Sequence, residues 1–119
     1  MKTIADLNAL IPQLSKLILE NPEIGKTNEG DVISDWEYNY VSYEKDGWLI
    51  EVEYKCTGLW SYSPGDYYTP DEEDCISAWG KVERISAMHT DEKTEEETIF
   101  EDSDLKELYE ALNQKLSSF

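Results

Sequence analysis

Ile4, Leu7, Leu10, Ile11, Leu14, Leu17 and Ile18 recur at intervals of three and four, the period of one buried helical face. Thr3, with Asp6 three residues on, marks the start: a hydroxyl can accept an early amide, and a carboxylate suits the positive end of a helix. Pro12 lacks an amide and clashes one turn back, which predicts a kink or break near Leu10-Ile11; Asn21-Pro22 ends the pattern. Residues 23–35 are polar and hold Gly25 and Gly30, the composition of a loop, with a short extended piece expected around Val32-Ile33. The period then falls to two. Trp36, Tyr38 and Tyr40 alternate with Glu37, Asn39 and Val41, and Trp48, Ile50, Val52 and Tyr54 alternate with Leu49, Glu51, Glu53 and Lys55. With Glu44-Lys45-Asp46-Gly47 as the turn, a hairpin from Trp36 to Cys56 is predicted, its second strand apolar on one face and largely charged on the other.

A third strand is expected from Cys75 to about His89, but its alternation slips. Ile76, Ala78 and Val82 share one parity and Ile85 and Ala87 the other, so a bulge is predicted near Gly80 or Arg84. Asp91-Glu92-Lys93 turns the chain into an edge strand over Glu95 to Phe100, where Glu95, Glu96 and Glu97 would deter edge-to-edge pairing. Asp102 or Ser103 then caps a helix with the stripe Leu105, Leu108, Tyr109, Leu112 and Leu116. The expected fold is a single α+β domain over residues 1–119: N-terminal helix, antiparallel sheet of three to four strands, C-terminal helix, both helices packed on one sheet face.

Residues 57–74 escape both periods and read as a long loop. It carries Trp60, Tyr62, Tyr67 and Tyr68 together with Asp66, Asp71, Glu72, Glu73 and Asp74. Rings give contact area at low entropic cost, so the four aromatics are the expected binding anchors and the five acids the steering charges. The competing expectation is that the rings fold back over the sheet as a lid. Pro64, Gly65, Asp66, Tyr67, Tyr68, Thr69, Pro70, Asp71 and Glu72, following Thr57-Gly58, form an acidic turn that resembles one in small proteins of unknown function encoded by phages and mobile elements. The resemblance implies a setting, in which modulation of a host factor would fit, and no activity.

Charge narrows the partners. Against 27 Asp and Glu stand 10 Lys and Arg, for a net charge of −17 and a pI near 4.1, which excludes most binding to nucleic-acid phosphates and argues against anionic membranes. Four Trp and eight Tyr are too many rings for a disordered tail. With no apolar run of about 20 residues and no signal-peptide core, a cytoplasmic protein is expected. Cys56 and Cys75 are expected to be buried small hydrophobes rather than a disulfide, and no metal is expected: the acids of 57–74 do not follow a calcium-loop spacing and no zinc spacing occurs. No cofactor loop and no nucleophile signature is present, and His89 is the one histidine, so no enzymatic activity is expected.

The leading expectation is a non-enzymatic interaction protein that binds a basic protein partner. One alternative is a DNA mimic, with Glu37, Glu51, Glu53 and Glu83 lining an exposed sheet face beside the Glu95–Glu97 run, although Lys45, Lys55 and Lys81 dilute the row. Another is a module for a small ligand, carbohydrate or calcium. Hydrolysis by paired carboxylates ranks last.

Overall fold

The computed structural model describes residues 2–20, 22–25, 32–33, 35–63, 65, 68 and 72–118, with the backbone alone described at 32–33, 60–63, 72–74 and 76. Two short helices open the chain, α1 (Ile4–Asn8) and α2 (Ile11–Leu19). The Thr3 signal works as expected. Thr3 donates from its amide (2.8 Å) and its hydroxyl (3.0 Å) to Asp6 Oδ2, and the Asp6 amide donates back to Thr3 Oγ1 at 3.3 Å. These bonds hold the Asp6 carboxyl below its ordinary range. Pro12 breaks the rod where predicted: it sits in the first turn of α2, where its missing amide would have had no helical partner.

Among the described residues, five strands form one antiparallel sheet: β1 (Val32–Ile33), β2 (Glu37–Lys45), β3 (Trp48–Ser63), β4 (Glu72–Thr90) and β5 (Glu97–Phe100). β1 and β2 lie end to end along one edge of β3, β4 lies along the other, and β5 pairs with the terminal residues of β4. The β2–β3 turn is tighter than the sequence suggests. Lys45 pairs with Trp48, leaving Asp46 (φ 53) and Gly47 (φ 85) as a two-residue turn of the primed type. A Cβ on Gly47 would run into the Thr90 carbonyl oxygen, so glycine is required by space as well as by dihedral.

The main correction concerns residues 57–74. Most of this stretch is strand: β3 continues through Thr57 to Ser63, and β4 begins at Glu72, which pairs with Ser63. Thr57, Trp60 and Tyr62 are good strand formers, but Gly58 and the serines blur the alternation that would announce it. A second irregularity, between Leu59 and Trp60, makes Ile76 an extra residue on β4 and resets the parity again. The other slip falls where expected, next to Arg84: Glu53 opposes Arg84 and Tyr54 opposes Val82, so Glu83 is the bulged residue.

Two boundaries also move. Glu95 (φ 57) and Glu96 belong to the turn that precedes β5, because Asp91 accepts from the Glu95 amide and donates to the Glu96 carbonyl, so only Glu97 of the acidic run is in the strand. The last helix is entered through a tight 3-10 turn (Asp102–Leu105) capped by Glu101 and Asp104, ahead of α3 (Lys106–Leu116).

Both helical segments pack on one sheet face, as the patterns predicted. Leu7, Leu14 and Ile18 meet Leu105, Leu108, Leu112 and Leu116 over Trp48, Ile50, Val52, Tyr54, Val82, Ile85 and Ala87. Burying each of these Leu, Ile and Val side chains contributes about 1.5–3 kcal/mol. Gly80 lets the strands and α3 close up, since a Cβ there would fall 2.8 Å from the Lys55 carbonyl oxygen and 2.9 Å from Cys56 Sγ. The helices cover only the half of the β3–β4 hairpin nearest the Asp46-Gly47 turn. Nineteen residues of β4 at about 3.3 Å each give about 63 Å, which accounts for the molecule's 68 Å long axis.

Candidate functional site

The sheet face turned away from the helices is built by parity. With Trp48, Ile50, Val52, Tyr54 and Cys56 in the core, Leu49, Glu51, Glu53 and Lys55 face outward. Register then assigns their neighbours: Tyr38 opposes Lys55, Tyr40 opposes Glu53, and Ser42 opposes Glu51 on β2, while Arg84 and Ser86 oppose Glu53 and Glu51 on β4. Tyr38 is 69% exposed and Tyr40 56%, high for rings on a regular strand.

The bulge adds an acid to this face. Glu83 and Arg84 both point outward, and Glu83 accepts from Lys55 Nζ at 2.7 Å. That hydrogen bond raises the Lys55 pKa and lowers the Glu83 pKa from their ordinary values. The same ammonium lies 4.8 Å from the centroid of the Trp36 ring, so this face already holds one cation between an aromatic ring and a carboxylate. Next to it, Tyr38, Asn39, Tyr40, Glu53 and Glu83 line an open groove of about 460 Å³. Desolvation, and next the charge of Glu51, raise the Tyr40 phenol above its usual pKa, so it stays a neutral hydrogen-bonding ring.

The residues expected to bind are distributed differently. Trp60 and Tyr62 lie on β3, and Glu72, Glu73 and Asp74 on β4, in the distal half of the hairpin; their backbone positions are described and their side chains are not. Tyr68 is 90% exposed. Asp66, Tyr67 and Asp71 lie outside the described residues. Of the acids proposed to line an exposed sheet face, Glu51, Glu53 and Glu83 share the outer face, whereas Glu37 opposes the core residue Cys56 and so belongs to the helix side. Lys55, Lys81 and Arg84 interrupt the acidic row. Cys56 is buried and free as expected; Cys75 is free but exposed, opposite Trp60.

Tyr38 and Tyr40 are the site residues that sequence reasoning passed over. The signal was parity. Whether the turn is four residues or two, antiparallel pairing sets the even-numbered tyrosines of β2 against odd-numbered residues of β3, which are charged.

At the opposite end of the sheet, Lys2, Asp6, His89, Asp91, Glu96 and Thr98 surround a polar cavity of about 220 Å³. His89 is 7% exposed, meets the Trp48 ring edge-on at 5.0 Å, and donates from Nε2 to the Asp46 carbonyl at 3.0 Å. The imidazole therefore fastens the β2–β3 turn to the end of β4. Among the described residues, no three His, Cys, Asp or Glu gather as a metal site, and no helix is long and apolar enough to cross a membrane. No family model, curated protein or solved structure matches the chain.

Proposed function

We propose that this protein is a non-enzymatic interaction module that binds a basic segment of another protein, and that the helix-free sheet face around Tyr38, Tyr40, Glu53 and Glu83 is the docking surface. The observation that carries this reading is the groove in which two exposed tyrosines stand beside two carboxylates, next to a lysine already held between Trp36 and Glu83. A partner's Lys or Arg placed over Tyr38 or Tyr40 would repeat that arrangement. The net charge of −17 would steer such a partner from a distance. The cations Lys55, Lys81 and Arg84 favour a protein segment of mixed surface over a DNA-binding groove, which would meet an interrupted row of acids.

Titration of the full chain with a Lys- and Arg-rich peptide by calorimetry tests this. Binding is expected to weaken steeply as salt rises. Tyr40→Ala is expected to lose about fivefold, the scale of one exposed cation–π contact. Trp60→Ala with Tyr62→Ala serves as the comparison on the distal half of the hairpin; loss of binding there with none at Tyr40 would move the docking surface away from the groove.

A further inference from the structure

The two edges of this sheet are treated differently. On the β4 side, β5 pairs with residues 87–90, and α3 seals the adjoining stretch of edge, where the Tyr109 hydroxyl accepts from the Ile85 amide at 2.9 Å and Asn113 Oδ1 accepts from the Val82 amide at 2.8 Å; from Glu72 to Lys81, away from the tyrosines, this edge has no pairing strand among the described residues. On the other side, no strand among the described residues pairs with the outer edge of β2. The Asn39 side chain, which alternates to the helix side of β2, accepts from the Glu23 amide (2.7 Å) and donates to the Glu23 carbonyl (2.8 Å).

The turn sets the direction of the β2 backbone groups. In a two-residue hairpin the flanking pair, here Lys45 and Trp48, is hydrogen-bonded, and bonded and non-bonded pairs alternate from there. Odd residues of β2 therefore bond to β3. Tyr38, Tyr40, Ser42 and Glu44 direct their N–H and C=O groups to the outer edge, and carry their side chains on the outer face. Two devices that often protect an edge are missing, since β2 has no proline and its nine residues pair with β3 without a bulge; the charges on the strand, Glu37, Glu44 and Lys45, stand at its two ends.

Resting on the reading of a basic partner, we propose that the partner is captured as an extended strand added to the outer edge of β2, with Lys or Arg at alternate positions. The added strand would lie about 4.8 Å from β2, so its outward side chains would stand directly beside Tyr38, Tyr40 and Ser42. Glu51 and Glu53 would be two strand spacings away, about 10 Å, a gap a basic side chain spans by lying across a tyrosine ring. By register, a basic residue beside Tyr40 would meet the ring and then Glu53, one beside Ser42 would reach Glu51, and one beside Tyr38 would meet the ring and then the Lys55–Glu83 pair. Charge selects this occupant over a second copy of the chain: pairing two β2 edges would bring together two molecules of net charge −17, each with exposed Glu37 and Glu44 on the strand.

The probe is a nine-residue peptide alternating Lys with Thr, titrated against the full chain at about 50 mM NaCl, where the Debye length is still about 14 Å. Two derivatives carry N-methyl groups on either the odd or the even amides, and a third has the same composition with all lysines contiguous. One N-methyl set is expected to weaken binding about tenfold or more while the other is tolerated, since a strand offers only alternate amides to its neighbour. The contiguous peptide should bind more weakly than the alternating one, and hydrogen exchange at Tyr38, Tyr40, Ser42 and Glu44 should slow on binding. If all four peptides bind alike, with affinity that falls on Glu53→Gln and with salt, the basic-partner reading stands and strand addition is overturned. If none binds, both fall. Protection of the same four amides in a peptide-free dimer, seen by sedimentation, would assign the edge to a second copy and overturn the proposal.

Discussion

Burial separates two cysteines that share one hairpin. Cys56 is fully enclosed beneath Gly80, and desolvation pushes its thiol up to about 11; Tyr54, two residues earlier on the same face, is pushed up to about 12 by the same cause. Since the thiolate is the nucleophile, Cys56 is inert at neutral pH twice over, by access and by ionisation. Cys75 is exposed. Their pairing partners, Gly80 and Trp60, place them about 13 Å apart along the strands, beyond disulfide reach. Maleimide at pH near 7.5 is therefore expected to modify Cys75 alone in the native protein and both thiols after denaturation. Mass spectrometry of the labelled peptides checks this, and rapid native labelling of Cys56 would contradict the packing around Gly80.

Among the elements, β4 shows how a local irregularity is stabilised from outside. Its bulge at Glu83 releases the alternation, and α3 supplies the replacement acceptors, Asn113 for Val82 and Tyr109 for Ile85. The bulge also turns Glu83 onto the outer face, where it anchors Lys55. Tyr109→Phe keeps the ring and removes the acceptor, so it is expected to cost about 1 kcal/mol, seen as a lower urea midpoint with an unchanged m-value. The slip in parity between Val82 and Ile85 was legible in the sequence, because each apolar residue names the face it must occupy. The acceptors were not: Tyr109 reads as one more apolar position in a helical stripe, and only the approach of α3 to the strand gives its hydroxyl a purpose.

At the scale of the molecule, shape and charge act together. A compact chain of this length has a radius of gyration of about 13–14 Å, whereas this one reaches 18.5 Å, because the β3–β4 hairpin extends beyond the helices. Elongation spreads the excess of acids over more surface and still leaves repulsion uncompensated, since the described residues include one ion pair, Lys55 with Glu83. Raising NaCl from about 20 to about 500 mM, which shortens the Debye length from roughly 20 to 4 Å, is therefore expected to raise the melting temperature. A fall over that range would mean that attractive pairs outweigh the net charge. The same change in salt should weaken capture of a basic peptide, so stability and binding move in opposite directions.

The sequence by itself determined the helical faces, the Thr3 cap, the break at Pro12, the β2–β3 hairpin and the α+β class, because each depends on neighbours within a turn or across a short turn. It could not determine that residues 57–63 and 72–74 extend the β3–β4 hairpin, since Gly58 and the serines blur the alternation and the extra residue at Ile76 resets the parity across the pair. The exposed rings of Tyr38 and Tyr40 became a groove only when register set them beside Glu53 and the bulge brought Glu83 to the same face. Where the sheet edges stayed open was likewise decided in three dimensions: α3 and β5 cover β4 from Val82 to Thr90, and among the described residues no strand pairs with the outer edge of β2.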